Sequence, residues 1–241
     1  MSAATLQCCD PATDLDAVNR RLEQRDARGR IAWAFGCLPG RHVMSSSFGI
    51  QSAVLLHLAN EVAPGLPVIF IDTGYHFAET YRFVDQLTQR LRLNLQVYRP
   101  HRSAAWQEAR HGQRWEQGRQ ALADYNRENK VEPMQRALDE LDVGTWFSGL
   151  RRSQSATRAR LELVDRQWQR LKLHPLADWS DRDVHHYLVA HDLPYHPLRE
   201  AGYISIGDWH STQSLQEVDS PEQARFFGLM RECGLHDLAG N

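Results

Sequence analysis

His42-Val43-Met44-Ser45-Ser46-Ser47-Phe48-Gly49-Ile50-Gln51-Ser52-Ala53-Val54-Leu55-Leu56-His57-Leu58 changes its period halfway along. Its first residues read as a short strand that runs into a turn of small residues. From Ile50 onward the apolar positions Ile50, Val54, Leu55 and Leu58 share one face of a helix. A strand, a small-residue turn and a helix in that order make an anion site. Three serines and Gly49 let the backbone come close to a phosphate, and the helix N-terminus offers unpaired N–H groups with a favourable dipole. The serine hydroxyls add donors. No lysine follows, so this is not the lysine-bearing phosphate loop of nucleoside triphosphatases. A serine cluster that only caps the helix is the competing reading, but three serines and a glycine exceed what one cap requires.

Working outward, residues 13–37 read as helical, with Leu15, Val18, Leu22, Ile31 and Phe35 at near-helical spacing, and Pro39-Gly40 stops them. Downstream, Pro67-Val68-Ile69-Phe70-Ile71 is a continuous apolar run, as suits a strand buried on both sheet faces. Residues 78–91 read as a helix and 93–98 as another strand. This alternation predicts an α/β fold, a parallel central sheet with helices on both faces. Residues 145–150 offer a further strand that ends in an arginine-rich loop. A short helix over 180–191, a Pro/Gly-rich segment to Gly207 and a helix-like stretch over 221–230 complete the chain. The expected organisation is a nucleotide-binding α/β unit over 1–220 and a C-terminal tail over 221–241, which Gly234 and Gly240 make mobile.

At 241 residues the chain can bury a sizeable core, and 42% hydrophobic with 24% charged residues is ordinary for a globular protein. With 28 basic against 30 acidic residues, no global basic field supports nucleic-acid binding. No apolar run approaches a membrane span, and residues 1–16 hold no hydrophobic signal region, so a cytoplasmic address follows by default. The four cysteines, Cys8, Cys9, Cys37 and Cys233, form no metal-site spacing. Cys37 sits in an apolar stretch and is expected to be a buried, inert thiol. Cys8 and Cys9 read as exposed bystanders in a polar leader.

Three further features bear on chemistry. Cys233 has Arg231 before it and His236 after it, and cationic neighbours favour the thiolate that attacks electrophiles; an incidental thiol near a frayed terminus is the alternative. Asp72 lies at the C-terminal end of the 67–71 strand, the edge where open α/β sheets bind ligands. It either reads a ribose or adenine or caps the next helix. Arg151-Arg152-Ser153-Gln154-Ser155-Ala156-Thr157-Arg158 is either a cradle for phosphate or sulfate, held by bidentate hydrogen bonds, or a solvated basic loop. Lys130, judged alone, is a surface lysine. Together they suggest a substrate with several anionic groups, a nucleotide, presented to a thiolate on a tail.

The stretches Ser45-Ser46-Ser47-Phe48-Gly49-Ile50-Gln51, Asp72-Thr73-Gly74-Tyr75, Lys130-Val131-Glu132-Pro133-Met134, Gly149-Leu150-Arg151-Arg152-Ser153-Gln154-Ser155 and Arg231-Glu232-Cys233-Gly234-Leu235-His236 carry a resemblance. The chain resembles the phosphoadenylyl sulfate reductases, within the wider adenine-nucleotide α-hydrolase group. The resemblance implies that Cys233 is the nucleophile and that Ser45, Ser46, Ser47 and Gly49 form a modified phosphate loop. It places Lys130, Arg151, Arg152 and Arg225 against the phosphosulfate or other anionic groups. Asp72, Arg158, Arg231 and His236 complete the candidate substrate-binding set. Thioredoxin or glutaredoxin is the implied reductant, and a homodimer is an open expectation because the family is often dimeric.

Two departures sharpen this. Related ATP-using enzymes carry an aspartate where Gln51 stands, which argues against pyrophosphatase chemistry. The sister adenylyl sulfate reductases hold an iron–sulfur cluster through cysteines at positions where this chain has Tyr125, Asn126, Asp208 and Ser211, none of which supplies a thiolate. No iron–sulfur cluster and no metal are therefore expected. A non-catalytic nucleotide sensor would keep the serine loop and arginines without needing Cys233, and an adenylyl-transferring enzyme would need the acid that Gln51 displaces.

Overall fold

The computed structural model describes residues 14–218, 220, 224–228 and 235. Its strands are β1 (Arg41–Ser45), β2 (Pro67–Ile71), β3 (Asn94–Tyr98), β4 (Val143–Phe147), β5 (Val164–Gln167) and β6 (Arg170–Leu173). They form one sheet in the order β3-β2-β1-β4-β6-β5, parallel throughout except for the antiparallel edge pair β5–β6. The helices are α1 (Leu15–Glu23), α2 (Ala27–Cys37), α3 (Ala53–Val62), α4 (Ala78–Leu91), α5 (Ala104–His111), α6 (Gly118–Asn126), α7 (Glu132–Glu140) and α8 (Asp181–Ala190). The expected parallel α/β architecture is present.

Strand residues alternate between two cores, as the pleat requires. Met44, Val68, Phe70 and Phe147 pack into the larger cluster with residues of α2, α3, α4 and α8. Val43, Ile69 and Trp146 face the other way, against Met134, Ala137 and Leu138 of α7. Helices therefore cover both faces, and the strands are apolar on both sides for that reason.

Several elements differ from expectation. The 13–37 stretch is two helices, because the Asp26 carboxylate accepts the Gly29 N–H and starts α2 afresh. The helix after the serines begins at Ala53 and not at Ile50, so residues 46–52 are loop and turn. In that loop Phe48, not Gly49, takes the left-handed backbone, at φ 49°. Phe48 is buried edge-on against Phe70, and this packing offsets the steric cost.

β4 starts two residues earlier than the expected strand at 145 and ends at Phe147. Its register against β1 shifts between Arg41 and His42, which leaves Gly144 bulged. A Cβ on Gly144 would stand 2.4 Å from the Pro39 carbonyl oxygen, so only glycine fits beside the Pro39-Gly40 turn. The β5–β6 hairpin turns through Trp168 and Gln169 at φ 50° and 61° without the usual Asn or Gly, and so leaves no turn signal in the sequence.

Cys37 is half-buried and disulfide-bonded, not the inert buried thiol expected. Cys8, Cys9 and Cys233 lie outside the described residues, as do Arg231 and His236. Of the helix expected over 221–230, residues 224–228 are described, and they hold a bridge from Arg225 to Thr212 and a 3-10 turn, Phe226–Gly228, in place of a helix; the rest, and the expected mobility of the tail, lie outside the described residues. Among the described residues no helix is long and apolar enough to cross a membrane.

Candidate functional site

The chain leaves β1, builds β2 and β3 on one side, then crosses to place β4 on the other. The strand order thus reverses between β1 and β4, the crevice where open α/β sheets take ligands. A cavity of about 330 Å³ opens there, at the C-terminal ends of both strands. Ser45 at the end of β1 and Ser46, Ser47 and Gly49 of the loop after it line the cavity, and the loop after β4 adds Ser148, Gly149, Leu150 and Arg151.

The serine loop is held from within. Ser45 Oγ accepts from Trp146 Nε1 at 2.6 Å, and Ser46 Oγ accepts from the Phe48 N–H at 3.1 Å. Ser52, just before α3, also lines the cavity, and its buried hydroxyl has no partner among the described residues. A buried hydroxyl left open in an anion loop is a donor waiting for a ligand oxygen. The sequence reading passed over Ser52 because it lies beyond the run of three.

Arg151 is buried, and its guanidinium is fixed by Asp181 Oδ1 at 2.8 Å, the Trp179 carbonyl and Gln51 Oε1. Gln51 also donates to Asp181 Oδ1, so the residue that departs from the ATP-using pattern braces the arginine. The Arg151 hydrogen bond holds the Asp181 carboxyl below the usual carboxylate range against opposing burial. Arg158 lines the cavity and donates to Gln154 Oε1. Arg152 turns elsewhere: its Nε donates to the Leu161 carbonyl at 2.8 Å, and it is not among the cavity-lining residues.

Lys130 and Arg225 also line the cavity. Lys130 Nζ lies 2.6 Å from Asp208 Oδ2, and Arg225 donates to Ser205 Oγ and the Ile206 carbonyl, both at 3.0 Å. Lys130 is buried, so it is not the surface lysine its local sequence suggested. Asp208, Tyr125, Asn126 and Ser211 are all buried. Tyr125 donates to Asp208 Oδ2 at 3.0 Å and the Ser211 N–H to the Asp208 carbonyl. Distant in sequence, Tyr125 and Asp208 thus meet in one polar patch. Among the described residues no group of three or more His, Cys, Asp or Glu side chains could hold a metal ion.

Asp72 caps no helix, since α4 starts at Ala78 with Phe77 as its N-cap and no side-chain cap. Its Oδ1 accepts from the Gly74 N–H and the Tyr81 hydroxyl, and its Oδ2 from Arg99 Nε at 2.8 Å. Burial raises its pKa, but these donors outweigh it and hold the carboxyl below the usual range. Its neighbour Thr73 lines the cavity; Asp72 itself does not.

From the tail, Leu235 is described, and it too lines this cavity. Its carbonyl accepts from Lys172 Nζ at 3.2 Å and Gln167 Nε2 at 3.1 Å. Lys172 Nζ also lies 4.2 Å from the Trp146 ring centroid, and Trp146 bonds Ser45. A chain of contacts therefore links the tail to the phosphate loop. Neither Lys172 nor Gln167 carries a local motif that sequence reading could have used.

A family model for the phosphoadenosine phosphosulfate reductase domain matches residues 41–214. A phosphoadenosine 5′-phosphosulfate reductase of Xanthomonas euvesicatoria is 59% identical over 224 residues, covering 93% of each chain. The crystal structure of phosphoadenylyl-sulfate reductase from Candida auris, in a phosphate complex, superposes with a TM-score of 0.72 at 31% identity, over 82% of this chain and 95% of that one. FMN adenylyltransferase of Candida glabrata, at 17% identity and a TM-score of 0.58 over 86% of this chain and 68% of its own, shares the fold alone. The matched span runs from β1 through most of the residues that line the cavity, and on this ground the chain belongs to the phosphoadenosine phosphosulfate reductase family.

Proposed function

We propose that the protein reduces 3′-phosphoadenylyl sulfate to sulfite, releasing adenosine 3′,5′-bisphosphate. The observation that carries the reading is one cavity whose walls hold the serine loop, Arg151, Arg158, Lys130 and Arg225, and which Leu235 also lines. Leu235 follows Cys233 by two positions in the sequence. Multiple cationic and hydroxyl donors suit a ligand with several anionic groups. The names of the relatives support the same substrate.

In this mechanism the Cys233 thiolate attacks the sulfur of the sulfate group. The sulfur–oxygen bond to the phosphate breaks, and its electron pair leaves with the nucleotide, whose growing charge the serine loop and arginines stabilise. Cys233 is left as an S-sulfonate. A thiolate of an external dithiol protein, thioredoxin or glutaredoxin, then attacks the Cys233 sulfur and expels sulfite. The partner's second thiol resolves the mixed disulfide, so the dithiol loses the two electrons that sulfur gains. The scheme uses no iron–sulfur cluster and no metal, and it fits a cytoplasmic enzyme with a reducing thiol supply. Residues 1–220 would bind the nucleotide and 221–241 would bring the thiol.

The test is a sulfite assay with reduced thioredoxin and with adenylyl sulfate and its 3′-phosphorylated form as alternative substrates. Wild type should form sulfite from the 3′-phosphorylated nucleotide, and without thioredoxin it should accumulate a sulfonated Cys233 visible by mass spectrometry. Cys233→Ser should lose turnover and keep nucleotide binding. Undiminished turnover in that variant removes Cys233 from the mechanism.

A further inference from the structure

Lys130 stands on a π-helical stretch, Arg127–Val131, between α6 and α7. Such a bulge inserts a residue into the helical ladder and re-aims the side chains around it, and it recurs at functional sites. Here the Lys130 ammonium enters a pocket walled by aromatic rings, 5.5 Å from the centroid of Tyr125 and 5.1 Å from that of Phe226. Asp208, fully buried, meets it at 2.6 Å. The same carboxylate accepts from Thr73 Oγ1 at 2.6 Å and from the Tyr125 hydroxyl at 3.0 Å. Donors from three separate elements converge on Asp208, far more than a structural turn requires. Among the described residues, Asp208 is the hydrogen-bonding partner of the Lys130 ammonium, which has three N–H donors.

We propose that Asp208 is a positioning residue that holds Lys130, in its charged form, at the wall of the nucleotide cavity. The inference rests on the nucleotide-binding reading above. Without a counter-charge, a lysine buried among aromatic rings sheds its proton at lower pH, because burial disfavours the ammonium. The Asp208 carboxylate beside it supplies that counter-charge and leaves the ammonium's remaining donors for an anionic group of the ligand. Burial opposes ionisation of Asp208, but Lys130, His76 and His210 outweigh it and hold the carboxyl well below the usual carboxylate range. The other groups that face the pair are Arg225, which acts on His210, Arg114, stacked 5.6 Å from the Tyr125 centroid, and Tyr75 beside Tyr125. Arg225 and Arg114 are cations and cannot replace the counter-charge that Asp208 supplies.

The experiment measures adenosine 3′,5′-bisphosphate binding to the purified full chain by calorimetry between pH 7 and 9, above the range where the ligand's phosphates titrate. Wild type should bind with nearly constant affinity across that range. Asp208→Asn should bind about tenfold more weakly for each unit of rising pH over at least one unit, while Asp208→Glu restores the flat profile. Lys130→Met should weaken binding equally at every pH, and adding Asp208→Asn to it should cost nothing further. A loss in Asp208→Asn that is the same at every pH, or no loss, overturns the proposal, because a merely structural role would give that result. If Asp208→Asn does not fold, Asp208→Ser, which also removes the counter-charge, should show the same pH dependence, and a flat profile there also overturns it. Failure of wild type to bind the nucleotide would instead remove the reading on which the inference stands.

Discussion

Ser52 carries a hydroxyl that is shielded from water yet bonded to nothing among the described residues, at the end of a loop where a ligand oxygen is expected. Leaving such a group unpaired costs stability, on the order of 1–3 kcal/mol of desolvation, unless function recovers it. Ser52→Ala should therefore leave the folded state as stable as wild type or slightly more so, while adenosine 3′,5′-bisphosphate binds roughly tenfold more weakly. Chemical denaturation and calorimetry on the same variant separate the two effects. Equal affinity in Ser52→Ala would mean that the hydroxyl has no ligand to meet. Gln51 shows the complementary case. Its amide is used up between Arg151 and Asp181, so it shapes the arginine and leaves no carboxylate for a metal at that position.

At the scale of elements, the parts that sequence reading recovered are those whose signal is local. β2 is a run of apolar residues buried at Val68, Ile69 and Phe70 and α4 a clean amphipathic pattern, and both stand where the pattern put them. The edge hairpin β5–β6 escaped because its turn uses Trp168 and Gln169 in left-handed conformations that no dipeptide rule announces. Its outer strand is completed by a side chain from the far end of the chain. Asn19 of α1 donates its amide to the Val164 carbonyl at 2.9 Å and accepts from the Val164 N–H at 2.8 Å. It thus pairs one residue of the exposed edge as a neighbouring strand would, across 145 residues of sequence. Removing it leaves two buried backbone groups open. Asn19→Ala should destabilise the fold by about 2–4 kcal/mol, read as a lower denaturation midpoint, with nucleotide binding unchanged in the folded protein. A loss below about 0.5 kcal/mol would show that water satisfies Val164 instead.

At the scale of the whole molecule, the candidate site was legible in its types of residue and not in its partnerships. The serines, Lys130, Arg151, Arg158 and Arg225 line one cavity, whereas Arg152 bonds Leu161 and Asp72 bonds Tyr81 and Arg99. Nothing in local sequence reports that Lys130 meets Asp208, 78 positions further along the chain, since long-range pairing is set by strand order. The same long-range packing dictates how stability follows pH. His196 Nδ1 accepts from the Leu198 N–H, so it has no room for a second proton, and burial lowers its pKa to about 4. His210 is stacked on Trp115 at 3.8 Å. Because Tyr125 donates to Asp208, the His210 Nε2 must donate to Tyr125, which leaves a buried Nδ1 with no acceptor for a proton; burial lowers this pKa to about 4 as well. For a histidine whose folded pKa is depressed, the unfolded chain takes up the proton first. The stability it contributes is complete above the unfolded value near 6.5 and is lost as pH falls towards 4. The carboxylates held low, Asp72, Asp178, Asp181 and Asp208, add their own loss only below about pH 4, so they leave this window to the histidines. Unfolding free energy should therefore drop between pH 6.5 and 4.5 by about 1 kcal/mol per pH unit for each of His196 and His210. Urea titrations at half-unit steps measure the slope, and His210→Asn should make it shallower by roughly one histidine's share. A stability that stays level from pH 6.5 to 4.5 would mean that both rings take up protons in the folded state as readily as in the unfolded chain, against the hydrogen-bond pattern that surrounds them.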